Sequence, residues 1–437
     1  MNIITLEKKI ILNKMKQIKW LAYRCLVALV GTSKSVLTFR LPKTEKIRTN
    51  STFNWVFCST IGELNGCKPL IQLLASQKPL LLITDRDCYA GSFHLHFPDA
   101  VIVELQGWEG ESAALAKQFP PEQLVLCEIP CKPNDAPCRL SYGFLRSLKK
   151  QDVPIYMVNG WLYEYQVSCR QDAIERRLFT VEYLALFDKF MVQTAEVKDK
   201  LIRSGAQEQN VHITGNMKFD AVHDTRVYFK DDNAERLIVG LSNDKRLRMV
   251  AGSVSEVWEY ELLAKSFVQL IKHNPNSLMI MAPRHPEKQE QLEQIENILR
   301  DLGLSFIYRS ELTGEMPIEK QVLILDTFGE LRGMYSVCDF AYIGRNHNVL
   351  EPLAFGKPVV ILDGWEATYP SYPVYEISKQ HNLLVELNDY NKLGTTLIQL
   401  AQQDATEYAD KIESTLSGLA TALQRNMTIM EISGNES

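Results

Sequence analysis

The stretch Phe340-Ala341-Tyr342-Ile343-Gly344-Arg345-Asn346-His347-Asn348-Val349-Leu350-Glu351-Pro352-Leu353-Ala354-Phe355-Gly356-Lys357-Pro358-Val359-Val360-Ile361-Leu362 reads as strand, polar turn, short helix, strand. Residues 340–344 and 358–362 are brief apolar runs bounded by breakers, which marks strands buried on both faces. Two such strands joined through a helix form a parallel pair. Working outward, the same kind of run recurs at 249–252, 277–283, 305–308, 321–326 and 383–386. Further upstream it recurs at 55–59, 80–84, 100–104, 124–128, 155–159, 187–193 and 211–215, with helical segments such as 66–76 and 142–150 between. This alternation predicts an α/β protein built from two Rossmann-like halves.

A length of 437 residues predicts two or three domains. With 46% hydrophobic and 23% charged residues and a net charge of -5, the chain has the composition of a folded protein and not that of a nucleic-acid binder. The charge is unevenly spread. Residues 1–50 hold eleven Lys/Arg against Glu7 and Glu45, a local charge of +9, so the remainder carries -14. The apolar run inside this basic arm is too short and too charged for a membrane span or a secretory leader. It predicts an amphipathic helix lying in the membrane interface, with Trp20, Leu21, Val27 and Leu29 in the apolar layer and lysines toward anionic lipid. The nine cysteines are scattered without a Cys-x-x-Cys pair, which predicts free thiols.

The expected organisation is a basic arm (1–48), an N-terminal Rossmann-like domain (49–222), a linker (223–246), a C-terminal Rossmann-like domain (247–405) and a C-terminal helix and tail (406–437). Within the tail, Ile412, Leu416, Leu419, Leu423 and Met427 predict one long amphipathic helix over 406–430.

Open parallel sheets bind ligands beyond the carboxyl ends of their strands, so polar residues just after strands are the candidates. Ser59-Thr60-Ile61-Gly62-Glu63 follows the first strand, and Glu63 reads either as a cleft carboxylate fit for general-base work or as a helix-capping acid. Asp326-Thr327-Phe328-Gly329-Glu330-Leu331 and Asn346-His347-Asn348-Val349-Leu350-Glu351 each place small or polar residues at a strand-to-helix turn, where free N–H groups receive a phosphate. Glu351 is spaced to accept ribose hydroxyls. Pro283-Arg284-His285-Pro286-Glu287 adds a forked cation and an imidazole. Asp85-Arg86-Asp87 is an Asp-x-Asp pattern, but it stands in the first half; no metal and no cofactor are expected.

Together with Thr214-Gly215-Asn216-Met217-Lys218-Phe219-Asp220, these motifs resemble in order and spacing the 3-deoxy-D-manno-octulosonic acid (Kdo) transferases, from about residue 55 to 360. The resemblance implies a GT-B fold, two Rossmann-like domains facing a cleft, with the basic amphipathic helix at the N-terminus. It implies an inverting, metal-independent transfer of Kdo from CMP-Kdo to a lipid A precursor, at the cytoplasmic face of the bacterial inner membrane. Glu63 falls on the family's catalytic Glu, Glu128 on the first Glu of its acidic segment, and Asn159 on the next strand end, both on the acceptor side. Arg284, His285, Thr327, Gly329, Glu330, Arg345, His347, Asn348 and Glu351 would hold the CMP-activated donor. The chain departs from the pattern at Ser255, where the family has His, and at Pro130, Lys132 and Trp161. The glycine-rich loop before His347 is shortened to Gly344-Arg345-Asn346, with Arg345 offered in place of the lost backbone donors. The alternatives are a related GT-B transferase using another nucleotide sugar, a sugar-nucleotide 2-epimerase, or a catalytically silent paralogue.

Overall fold

The computed structural model describes residues 3–30, 38–40, 51–105, 109–135, 138–163, 166–167, 169–227, 229–312, 319–369, 371–403 and 405–432. The strands of the first half are β1 (Thr38–Arg40), β2 (Phe53–Phe57), β3 (Leu80–Thr84), β4 (Val101–Glu104), β5 (Pro121–Cys127), β6 (Ile155–Gly160), β7 (Lys189–Val192) and β8 (Val211–Ile213). They form one sheet in the order β1-β4-β3-β2-β5-β6-β7-β8. All neighbours are parallel except β1, which adds to the β4 edge in the antiparallel sense. The second half contributes β9 (Leu247–Val254), β10 (Ser277–Pro283), β11 (Phe306–Tyr308), β12 (Val322–Ile324), β13 (Phe340–Ile343), β14 (Val359–Leu362) and β15 (Leu384–Leu387). Their order is β11-β12-β10-β9-β13-β14-β15, wholly parallel. The expected two-domain α/β architecture is present; β1 was not anticipated, since it lies inside the basic arm.

Strand alternation divides each core in two. On β2, Phe53, Trp55 and Phe57 pack on one face of the sheet, and Val56 with the following Cys58 on the other. On β9, Val250 joins one face cluster and Met249 with Ala251 the other. Both faces are therefore covered, which is why these strands read as continuous apolar runs.

Three expectations are corrected. Residues 223–246 are not an open linker: helix Asp232–Ser242 lies within them, capped by Asp231 on the Ala234 N–H, and buries Leu237, Ile238 and Leu241 in the second domain's core. The C-terminal helix is two helices, Ala405–Leu419 and Ala422–Met430, broken at Ala420 and Thr421. Ile412 and Leu416 pack in the second domain, whereas Ala422 and Met430 pack in the first, with Leu423 and Met427 alongside. One apolar stripe thus serves two cores, and the break lets it change partners. The Asp220 carboxylate accepts the Ala422 and Leu423 N–H groups and fixes the start of the last helix.

The third correction concerns the first helix, Ile3–Val30. Trp20 does not face lipid. It is 5% exposed and Tyr23 6%, both inside the first domain's core. The Trp20 ring meets Tyr142 and Phe179 edge-on, and the Tyr23 hydroxyl donates to Glu175 at 2.9 Å. Val27 packs partly on the same core. Leu21 remains exposed, beside Met15, Ile18 and Leu26; the Leu29 side chain lies outside the described residues. No helix among the described residues is long and apolar enough to cross a membrane.

Candidate active site

The carboxyl ends of β2, β3, β5 and β6 bring together a buried acidic cluster. Glu63 is the third residue of helix Ile61–Gln77 and closes a capping box with Thr60. Its Oε2 accepts the Ser59 N–H at 2.6 Å and the Thr60 N–H at 3.3 Å, and Oε1 accepts the Thr60 hydroxyl at 3.1 Å. The capping reading of Glu63 is therefore met, and the cap stands at the carboxyl end of the sheet. Burial, then the charge of Glu128, pushes its carboxyl well above the ordinary range, and Asp85 adds to the effect. The N–H donors at Ser59 and the hydroxyl of Thr60 pull the other way.

Asp85 accepts the Ser59 hydroxyl at 2.6 Å and the Arg139 N–H at 2.8 Å. Glu128, at the end of β5, has a left-handed backbone (φ 65°). Its Oε1 takes the Lys218 ammonium at 2.9 Å, while Oε2 is buried without a partner. Asn159, at the end of β6, is also left-handed (φ 52°). Its side-chain oxygen accepts the Met217 N–H at 3.0 Å, and its amide nitrogen is buried unpaired. Asn134 leaves both amide atoms unpaired. Buried polar atoms without partners are costly, so their concentration here marks a place shaped for a polar ligand.

In the second domain, the turns after β10, β12 and β13 hold the expected donor residues. His347 Nε2 lies 3.1 Å from the hydroxyl of Ser255, the residue standing where the resembled family has His. Burial, with Arg284 and His285 nearby, lowers His347 to about 4, so it is a neutral imidazole near pH 7. Arg284 is exposed and forms no ion pair among the described residues. Asn348 caps the turn, its Oδ1 accepting the Leu350 N–H at 3.1 Å and its Nδ2 donating to Glu351 at 3.3 Å. Burial raises the Glu351 carboxyl against the pull of Arg332 and Arg284. Gly329 sits at φ 86°, open on its Cβ side, and Phe328 beside it is 62% exposed. Gly344 has no such space: a Cβ there would stand 2.4 Å from the Ser253 carbonyl, so the β9 and β13 ends close tightly together.

Three expected donor residues are engaged elsewhere. Glu330 is buried in an ion pair with Arg309 at 2.6 Å and accepts the Thr327 hydroxyl at 2.9 Å, so both groups organise their own turn. Arg345 faces the rings of Trp258 and Tyr390, 4.9 and 5.6 Å from their centroids, and its guanidinium bonds the Tyr390 hydroxyl. The cation expected to replace a phosphate cradle is held against the stacked Trp258–Tyr390 pair. The roles of Ser255 and Lys218 went unread because each acts through a partner distant in sequence. His285 bonds Glu287 at 3.1 Å on the surface. Among the described residues no group of three or more His, Cys, Asp or Glu is placed to hold a metal ion. All nine cysteines are free thiols, six of them buried.

A family model for 3-deoxy-D-manno-octulosonic-acid transferase matches residues 139–221. The Kdo transferase of Haemophilus influenzae is 34% identical over 163 residues, 36% of each chain. That of Bordetella pertussis is 24% identical over 325 residues, 70% of each. Over these stretches the chain is similar to the Kdo transferases. The match spans little more than a third of the first of these proteins. Among solved structures, the UDP-GlcNAc 2-epimerase of Neisseria meningitidis superposes with a TM-score of 0.58 at 13% identity, over 87% of this chain and all of the other. At that identity the likeness shows the shared double-domain fold. The Kdo transferase model ends at 221, so it includes Asn159 and Lys218 but stops short of the second-domain turns.

Proposed function

We propose that this Kdo transferase relative moves Kdo from CMP-Kdo to a lipid A-type acceptor at the cytoplasmic face of the inner membrane. The placement of Arg284, His347 and Glu351 on neighbouring turns of the second domain, with the Glu63 and Glu128 cluster at the strand ends of the first, carries this reading. In the proposed step the acceptor hydroxyl attacks the anomeric carbon with inversion and loses its proton to Glu63. The anomeric C–O bond breaks as CMP departs with the electron pair, and Arg284 and the turn N–H groups at Gly329 and His347 receive the phosphate charge. A carboxyl raised by burial is well suited to this work, since a general base is most effective when its pKa lies near the working pH.

The membrane part rests on surface composition. Ile18, Leu21 and Leu26 of the first helix and Ile174, Leu178 and Val181 of helix Arg170–Leu184 are exposed apolar side chains on two helices that pack together. A cavity of about 760 Å³ lined by Lys132, Arg170, Arg176 and Arg177 opens on the same helix. Apolar groups beside clustered cations suit an anionic lipid surface.

The diversion of Glu330 and Arg345 favours a second reading, a GT-B transferase with a different nucleotide sugar. The test is transfer of labelled Kdo, from CMP-Kdo generated in situ, to a tetraacylated lipid A precursor, comparing the native chain with Glu63→Ala. Product lost with Glu63→Ala supports the proposal. No product, with CMP still bound, moves the assignment to another sugar; no CMP binding at all favours a silent paralogue.

A further inference from the structure

The Gly215 to Asp220 stretch carries part of the family resemblance, yet the proposed chemistry gives its lysine nothing to do. Lys218 opens the four-residue helix Lys218–Ala221, and its ammonium reaches Glu128 Oε1 at 2.9 Å. The route is built. A Cβ on Gly66 would stand 2.9 Å from Lys218 Cγ and 3.2 Å from Cε, so the lysine stem runs across the helix of Glu63, one turn beyond that residue. A glycine inside a helix costs ~1 kcal/mol relative to alanine; here the vacant Cβ position is filled by the lysine.

The backbone that carries the lysine is fixed as well. Asn159 Oδ1 accepts the Met217 N–H, and Asn216 Oδ1 accepts the Lys218 N–H at 3.0 Å. Asn216 in turn donates to Gln193 at 2.8 Å, which donates to the Asn159 carbonyl at 2.9 Å. The chain of contacts closes on the strand end next to Glu128.

We infer that Lys218 is a positioning residue for the carboxylate pair: it ties one oxygen of Glu128, leaves the other without a partner, and sets a cation next to the carboxylate whose charge acts on Glu63. The inference rests on the reading of Glu63 as the base. Facing Glu63 from the packed elements are Glu128 after β5, Asp85 after β3, and the thiols of Cys58, Cys127 and Cys138. All of these oppose its charge or are neutral, and Lys218 balances them through Glu128. During transfer Lys218 neither gains nor loses a proton: the acceptor's proton goes to Glu63 while the new C–O bond forms and the phosphate oxygen leaves.

Removing a cation from beside two coupled carboxyls moves their proton uptake to higher pH. The experiment therefore follows the titration of the pair directly, by carboxyl signals of 13C-Glu-labelled full-length protein assigned with Glu63→Gln and Glu128→Gln, alongside the acid limb of kcat. Lys218→Met is expected to raise both midpoints by roughly half a unit or more and to lower kcat by about tenfold, and Lys218→Arg to restore them. Gly66→Ala, which displaces the stem without removing the charge, is expected to shift the titration in the same direction by less, and it stands in for Lys218→Met should that variant not fold. Unmoved carboxyl titration in these variants overturns the inference, whatever the activity. If the titration moves while Glu63→Gln still transfers sugar, the positioning of the pair stands and the base assignment falls.

Discussion

Glu63 has two duties that pull on its charge in opposite directions. Its capping bonds favour the carboxylate, while burial and Glu128 favour the acid, and the net direction is upward. A carboxyl raised in the folded state binds a proton there that the unfolded chain has released, so this group makes stability fall as pH climbs from its ordinary 4.5 through the raised value. Glu63→Gln keeps an oxygen for the Ser59 N–H and removes the charge. Its melting temperature, compared with the native chain, is expected to gain steadily as pH rises above the ordinary 4.5, while transfer falls by roughly 10²- to 10⁴-fold. His347 has the reverse slope. Held at about 4 against an ordinary 6.5, it stays neutral in the fold where the unfolded chain takes a proton, so its contribution is lost as pH falls from 6.5 toward 4. Thermal or urea unfolding across that window should show a loss of about 2 kcal/mol that His347→Gln lacks.

At the scale of elements, the strands were readable because both faces of each sheet are covered; residues 80–84 and 277–283 match β3 and β10 end to end. Glu63, His347 and Glu351 were readable as site candidates because strand ends project toward ligands, and Glu128 and Asn159 only through the family resemblance. What was not readable were choices between two apolar partners. Trp20 is as suited to a bilayer as to the aromatic face of Tyr142 and Phe179, and only the fold brings those rings near. The stripe from Ile412 to Met427 has helical spacing throughout, so nothing in it announces a change of domain. Arg345 was placed by its neighbours in sequence, but Trp258 and Tyr390 come from elsewhere. Trp20→Ala is expected to cost roughly 3 kcal/mol or more, as for other buried aromatics cut to alanine, and to free the first helix for early proteolysis. A variant with unchanged melting and cleavage would mean the helix docks without that anchor.

Across the whole molecule, the two domains meet at Asp224. Its carboxylate pairs with Lys68 of the first domain at 2.7 Å and with Arg226 at 2.7 Å, and its carbonyl accepts from Arg332 of the second. Against the push of burial, Arg226 and Lys68 hold it below the ordinary carboxylate range. Asp224→Asn should destabilise by about 1–3 kcal/mol and loosen the relative placement of the domains, read as an increased radius of gyration in solution scattering. An unchanged scattering profile would relieve Asp224 of any part in domain orientation.

The return of helix Ala422–Met430 to the first domain also bears on how the protein is made. Synthesis delivers the first sheet long before the helix that covers part of its surface, because every element of the second domain lies between them in sequence. The half of the molecule born first is therefore completed only after the second, its apolar face around Leu70, Leu74 and Met191 awaiting a cover that follows the whole second domain.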